Sequence, residues 1–383
     1  MKLRTIVDQK ITGKKVLLRA DFNVTLVEGK IKDDTRIRET IPTIEFLLKN
    51  NNSLVIMSHL GRPKGKMDSK FSLQPVVTQL EKYLKRKIPL INHLEDKKFA
   101  PLQDQVVMIE NVRFAQGDEE NKPEYAKLLA RFGEIFVNDA FAVCHRSHAS
   151  TVGVSKLLPS FAGLLLTKEV SILRKVLDQA DKPVVCVVSG SKISDKIGLI
   201  KKQLDLAQTV LVGGGIANTF LKAKGEEIGL SLYENEAIDE ARKLLFLAAS
   251  KHSALIFPTD FSVLRDNKVL NLSLAEVAPM DTIMDAGRDS VKKFTEFLIS
   301  AGTIVFNGTL GKYEDERFAR ATKELLKVAS QSKALSVVGG GDTIACIENK
   351  DIAEGITHVS TGGGAMLEFM EKGSLPAIDM LYD

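Results

Sequence analysis

The stretch ALSVVGGGDT, residues 334–343, runs an apolar segment into three glycines, an aspartate and a threonine. A short apolar run bounded by glycine suits a strand covered on both faces of a parallel sheet, and glycines at its end let backbone N–H groups close on a phosphate. The lysine that would follow in a Walker loop is missing. The same arrangement recurs in TVLVGGG, residues 209–215, and in THVSTGGG, residues 357–364. A single glycine cluster is ordinary turn chemistry. Three within one half of the chain favour close backbone approach to phosphates.

Working outward, the same kind of run appears as KKVLLRAD (14–21), SLVIMSH (53–59), VVMIENVR (106–113), EIFVNDAF (134–141), PVVCVVSG (183–190), ALIFPTD (254–260) and TIVFNG (303–308). None alternates strictly, as expected of strands buried on both faces. Stretches of helical period lie between them, such as QPVVTQLEKYLKRK, with Val77, Leu80 and Leu84 on one face. Strand followed by helix, repeated, predicts an α/β fold with parallel sheets and right-handed crossovers. The segment from Lys168, KEVSILRKVLDQADKP, spaces Val170, Leu173, Val176 and Leu177 as a helix and ends before a proline. It reads as a helix joining two sheets.

Ligands of open parallel sheets bind beyond the carboxyl ends of the strands. In the first 150 residues those ends carry Asp21, Asn23, His59, Arg62, Arg113 and, further on, Arg146, a set suited to a compact anion. From residue 184 onward they carry Gly190, Asn307, Gly308 and the three glycine runs, a set suited to a phosphate chain. The Rossmann fingerprint fails at Asn218, Ile344 and Leu367, where its third glycine would stand, and GRPKGKM (61–67) is one residue short of a Walker loop. Mononucleotide or phosphate binding by another route remains. Asp342 beside the glycines would repel an anion unless Mg²⁺ mediates, although an aspartate there also suits a helix N-cap. Positive charge is offered by Lys192 and Lys196, four apart after PVVCVVSG, a spacing that would put both ammonium groups on one face of a helix's first turns.

Composition excludes several classes. Hydrophobic residues make up 44% and charged residues 27% of 383, as in globular proteins, and the apolar runs are too short to span a membrane. The net charge of +4 is dispersed, tryptophan is absent and aromatics are 6%, which argues against a nucleic-acid platform. Three scattered cysteines, Cys144, Cys186 and Cys346, argue against a disulfide framework and fit a reducing cytoplasm. The N-terminus lacks the features of a signal or transit peptide. His145 and His148 are three apart, but no carboxylate or cysteine completes a zinc set at familiar spacing.

Taken together and in order, RADFNV, DDTRIRETIP, MSHLGRP, IENVRF, FVNDAF with HRSHAST, SGSKISDKIG, GGGIANTFLKAKG, FNGTLGKYE, VVGGGDT and HVSTGGGAMLE resemble the phosphoglycerate kinase family over essentially the full chain. The resemblance implies reversible phosphoryl transfer in glycolysis, 1,3-bisphosphoglycerate and MgADP giving 3-phosphoglycerate and MgATP. It implies two Rossmann-like domains, each a parallel sheet flanked by helices, that close about a hinge: residues 1–167 for phosphoglycerate, a linker helix at 168–182, and 183–367 for the nucleotide. The tail at about 368–383 would return to the first domain. The phosphoglycerate anion would meet Asp21, Asn23, Arg36, His59, Arg62, Arg113 and Arg146. The nucleotide would meet Lys196, Gly213, Gly214, Gly215, Asn307, Glu314, Gly340, Gly341, Asp342 and Thr343, with Mg²⁺ at Asp342. Arg36, Lys192, Gly363 and Gly364 would stabilise the phosphoryl group in transfer, and a monomer in the cytoplasm is the family expectation.

Thr25, Thr309, Tyr313 and Met366 depart from the family pattern, which has proline, proline, phenylalanine and serine at those places. Loss of the proline at 309 is expected to loosen the loop near the adenine. A nicotinamide-dependent oxidoreductase and a non-catalytic nucleotide-binding protein are the competing readings.

Overall fold

The computed structural model describes residues 2–92, 105–251 and 253–383. All ten runs expected to be strands form strands, and together with Leu90–Ile91 and Ser160–Ala162 they make two sheets of six in which every pairing is parallel. The first sheet lies in the order Leu90–Ile91, Val106–Ile109, Ser53–Met57, Lys15–Arg19, Ile135–Asn138, Ser160–Ala162. The second is ordered Ala254–Ile256, Thr209–Val212, Val184–Val188, Thr303–Asn307, Leu335–Gly339, His358–Val359. Counted along the chain, that is 3-2-1-4-5-6, the doubly wound order in which ligand sites form where the order reverses. In the second sheet the reversal falls between Val184–Val188 and Thr303–Asn307.

The central strands are buried because both faces are covered. Alternate residues of the strand Lys15–Arg19 enter different cores: Val16 and Leu18 pack with Ile37, Ile44 and Leu47 of the helix Thr35–Lys49, whereas Leu17 packs with Phe136, Leu129 and Val154. The helix Gln74–Leu84 buries Val76, Val77 and Leu80, with Leu84 against the same core. Each such side chain contributes about 1.5–3 kcal/mol on burial, so the helical stripes fix which way each crossover packs.

The chain divides into two compact units, one running to Ser171 and including Ser374–Asp383, the other Ile172–Gly373. The division falls inside the helix Leu164–Asp178, which starts four residues' worth of chain ahead of Lys168, about one turn earlier than the apolar spacing indicates. Its first turn is anchored on the first unit, Leu164 N–H donating to Thr43 Oγ1 (3.0 Å) and Leu166 N–H to Asp139 Oδ1 (3.1 Å). At the other end of the chain, Ala377 N–H donates to the Cys144 carbonyl (3.1 Å), and Leu3 bridges to Tyr382.

Besides Leu90–Ile91 and Ser160–Ala162, a whole further sheet has no counterpart among the runs read from the sequence. Asp260–Arg265, Lys268–Ser273 and Thr282–Ala286 form a separate antiparallel sheet in the second unit, with Asp266 and Asn267 both at positive φ in the hairpin turn. Its last strand delivers Asp285 to the site described next. Among the described residues no helix is long and apolar enough to cross a membrane, and all three cysteines are free and buried.

Candidate active site

In the second unit, a pocket of about 680 Å³ opens at the reversal point of the sheet. Each triple-glycine run leads from a strand into a helix, Gly214–Ala223, Gly341–Ala345 and Gly364–Lys372, and each places two glycines on the pocket wall. Backbone amides without side chains in front of them are what an oxyanion can reach. Side chains added at Gly341, Gly363 or Gly364 would meet nothing within 4 Å, so the wall beside these glycines is open. Gly213 does not line the pocket. It caps the first of these helices and sits against Ser189 and Leu310 instead.

Lys192 and Lys196 both line the pocket, but not on one helix face. Lys192 lies in irregular chain ahead of a 3₁₀ turn, Ser194–Lys196, which leads into the helix Ile197–Leu206, so the two lysines do not share a helix. Lys192 is exposed at the mouth. Lys196 turns inward, donating to the Ser189 carbonyl and to Asn307 Oδ1 (2.6 Å). Burial lowers the Lys196 ammonium to about 8, against the opposing pull of Asp342 and Asp195. Asn307 in turn donates to the Gly339 carbonyl (2.7 Å), so one lysine ties the ends of three strands.

The loop after Asn307 is held despite its missing proline. Gly308 N–H donates to Thr343 Oγ1 (2.8 Å), Ser189 Oγ donates to the Thr309 carbonyl (2.5 Å), and Leu310 N–H donates to Thr322 Oγ1 (2.9 Å). These bonds fix the segment that proline would otherwise have stiffened. Met366 is fully buried, its sulfur occupying the space beside Gly339, so this residue packs the strand end and presents nothing to the pocket. Glu314, Asp342 and Thr343 line the pocket, and Asp285 and Tyr313 join them. Asp285 accepts from Ala286 N–H (2.9 Å) and Ala321 N–H (3.0 Å), and burial pushes its carboxyl up to about 7.

In the first unit, the strand ends gather a cluster of cations. Arg19, fully buried, donates through Nε to Ser150 Oγ (3.1 Å), through one terminal nitrogen to the Ala20 carbonyl (2.5 Å), and through the other to His59 Nδ1 (3.3 Å). A guanidinium can only donate, so His59 Nδ1 accepts and the imidazole proton sits on Nε2. Burial, then the charges of Arg19, Arg113 and Arg36, hold His59 well below its ordinary range. It is therefore neutral, and its 3.8 Å approach to Asp21 is no ion pair.

Asp21 pairs instead with Arg36, on the first turn of the helix Thr35–Lys49. Asn23 Oδ1 accepts from Gly61 N–H (2.8 Å), and Arg113 donates to the Gly61 carbonyl (2.8 Å). That double tie fixes the backbone beside Arg62, whose side chain is exposed. Arg113 feels Arg19 and Arg146 closely enough that burial and these like charges bring it down to about 10. Arg146 Nε lies 3.1 Å from His145 Nε2.

Behind this cluster stand Arg19, Asp118, His148 and Ser150, which motif reasoning does not place in the site. Asp118 is fully buried, accepts from Ser150 N–H (2.9 Å) and lies 3.6 Å from His148. His148 is brought down to about 4, chiefly by burial and against the pull of Asp118. His145 and His148 are not a metal pair: His148 opens a helical turn at Ala149–Gly153, and among the described residues no three metal-ligating side chains assemble. The available signal is Arg19 itself, a charge closing an apolar run, since a fully buried arginine requires dedicated partners.

Amide cradles with two lysines at one sheet, and guanidinium groups at the strand ends of another, define a phosphotransferase that handles anionic substrates. The phosphoglycerate kinase family model matches residues 6–373. The chain is 41% identical to the phosphoglycerate kinase of Pelotomaculum thermopropionicum, with all of both chains covered. The solved phosphoglycerate kinase of Coxiella burnetii has a TM-score of 0.91 at 42% identity over 99% of both chains, and that of Pyrococcus horikoshii OT3 a TM-score of 0.83 at 31% identity over 99% of this chain and 98% of that one. The chain belongs to the phosphoglycerate kinase family. It is an ATP-binding kinase of glycolysis with phosphoglycerate kinase function, and the oxidoreductase and non-catalytic readings are set aside.

Proposed function

We propose that the two clusters divide the substrates of this reaction between them. The observation that carries the assignment is the convergence of three glycine-lined helix starts and two lysines on one pocket. ADP or ATP binds there, with its phosphates on the amides of Gly340 and Gly341 and on Lys196, its ribose near Glu314, and its base beside Gly214 and Gly215. Asn307 and Thr343 hold the walls of that cradle, and Gly213 shapes it from behind. The phosphoglycerate anion binds at Asp21, Asn23, Arg36, His59, Arg62, Arg113 and Arg146. Lys192, Arg36 and the amides of Gly363 and Gly364 neutralise the phosphoryl group as it moves. Phosphoryl transfer asks little covalent work of a protein, so positioning and charge neutralisation carry it. Closure about a hinge is part of the proposal, because the acyl phosphate must be kept from water. A monomer working in the cytoplasm completes it.

The residues present fit a nucleotide-borne Mg²⁺. Asp342 offers an exposed carboxylate on the pocket wall, and one carboxylate plus phosphate oxygens and water is an ordinary magnesium shell. Asp285 is unsuited, both its oxygens being engaged by backbone amides. When bound, the ion would offset phosphate charge and orient the phosphate chain.

A coupled assay with ATP and 3-phosphoglycerate tests the whole assignment through its variants. Arg62→Ala and Arg146→Ala are expected to raise the KM for 3-phosphoglycerate about tenfold or more with little change for ATP, each lost charge-assisted hydrogen bond being worth about 1.5–3 kcal/mol. An unchanged KM removes that residue from the anion site.

Lys196 adds a pH dependence. Polyphosphate favours the ammonium form, and the free protein loses that proton at about 8. Nucleotide affinity is therefore expected to be flat below pH 8 and to fall as pH rises above it, approaching tenfold per unit until the complex itself deprotonates. Calorimetric titration of ADP from about pH 7 to 9.5 checks the sign. An affinity that rises over this range contradicts the placement of phosphate on Lys196.

A further inference from the structure

Tyr313 departs from the family pattern by adding a hydroxyl to the ring that phenylalanine would supply, and that hydroxyl reaches Asp342. The ring is partly buried against the core of the second unit, in the cluster that includes Cys346 and Leu325. Its backbone N–H donates to the Gly311 carbonyl (2.9 Å), which fixes the turn that carries it. The phenol therefore projects from an anchored ring, and it donates to Asp342 Oδ1 at 2.9 Å. A carboxylate oxygen can only accept, so in this contact the phenol is the donor. Both residues line the nucleotide pocket. A carboxylate on a short exposed turn would otherwise rotate freely, presenting either oxygen or both.

We propose that Tyr313 is a positioning residue for the metal-facing carboxylate: its hydroxyl engages Asp342 Oδ1, so that Oδ2 alone is presented to the magnesium of the bound nucleotide. The inference rests on the assignment of Asp342 to the metal. Phenylalanine at 313 keeps the packing and removes the donor, leaving Asp342 to be ordered only when the ion arrives. The cost of that ordering then falls on binding of the metal complex and not on binding of the bare nucleotide.

The test is calorimetric titration of the full chain with MgADP, and with ADP in the presence of EDTA, for the parent, Tyr313→Phe, Asp342→Asn and the double variant. Tyr313→Phe is expected to weaken MgADP about three- to tenfold, the range for a hydrogen bond to a charged group discounted for solvent exposure, and to leave metal-free ADP within about twofold. Asp342→Asn should lose more of the magnesium preference, and the double variant should match Asp342→Asn. If Asp342→Asn loses its magnesium preference but Tyr313→Phe binds MgADP as tightly as the parent or more tightly, the positioning role is overturned alone. If Asp342→Asn keeps the parent's ratio of MgADP to ADP affinity, the metal assignment falls and the proposal with it. Equal weakening of both ligands by Tyr313→Phe, with a lowered Tm, also overturns it, since a packing defect would then account for the loss.

Discussion

Replacing Arg36 by alanine is expected to lower kcat by about three orders of magnitude while changing the KM for either substrate only modestly. Arg36 stands on the first turn of its helix with its side chain about one-third exposed, paired through a single terminal nitrogen to Asp21. The pairing aims the guanidinium and leaves its remaining N–H groups available. A fork of donors held in this way interacts weakly with ground-state anions that are already neutralised by Arg113 and Arg146, and more strongly with the phosphoryl group whose equatorial oxygens spread charge in transit. That difference lowers the barrier without tightening substrate binding, which is why the loss should appear in kcat. By analogy with arginine fingers it amounts to about 10³-fold or more, or roughly 4 kcal/mol. Lys192→Ala should behave alike, because Lys192 lies exposed at the mouth of the nucleotide pocket and is not committed to the strand ends as Lys196 is. Arg36→Lys should recover only part of the loss, since a point charge cannot reproduce the planar fork. Turnover of Arg36→Ala within about tenfold of the parent's would remove this residue from the transferring group.

How much of the fold and site is legible in the sequence depends on what each residue answers to. Runs such as VVCVV and SLVIM declare themselves because a strand covered on both faces must be apolar throughout, a constraint visible in five consecutive letters. DFSVLRDNKVLNLS is silent for the opposite reason. Its strands form an antiparallel hairpin with one exposed face, so polar residues interrupt them, and the turn uses Asp266 and Asn267 at positive φ where glycine would be the obvious marker. Asp285, near the end of the third strand of that sheet, therefore reaches the pocket without a motif to announce it. The lysines show a finer limit. Their spacing matches helical phase, but a 3₁₀ turn intervenes, and the tertiary pull of the Ser189 carbonyl and Asn307 draws one of them inward. Arg19 sits in a motif yet its role is hidden there, because what makes it stable at full burial comes from Ser150 and His59, far along the chain. Local pattern identifies elements; partners brought together by topology decide which charges can be buried.

Gly308→Ala is expected to be the most damaging single methyl group in the second unit. Gly308 has φ +99°, a region that L side chains seldom adopt, and a Cβ there would be driven into the Ser189 carbonyl and come within 2.9 Å of Lys196 Nζ. Neither neighbour can give way cheaply: Ser189 belongs to the strand end that pairs with Asn307, and Lys196 is held by that same carbonyl and by Asn307 Oδ1. Strain of this kind costs on the order of 2–4 kcal/mol, which for a unit of about 200 residues corresponds to a fall in Tm of roughly 5–15 °C. Because the displaced groups are the same ones that support the phosphate cradle, nucleotide affinity should fall about tenfold or more in the fraction that remains folded. Gly341→Ala separates the two effects. Its Cβ would meet nothing within 4 Å, so stability should change by less than about 1 kcal/mol, yet the methyl stands on the pocket wall and should still weaken nucleotide binding. Thermal melts and ADP titrations on both variants give the comparison. A Gly308→Ala protein that melts with the parent would mean that the strand end yields to the added carbon, and that the rigidity of the Lys196 and Asn307 network is not what holds the site.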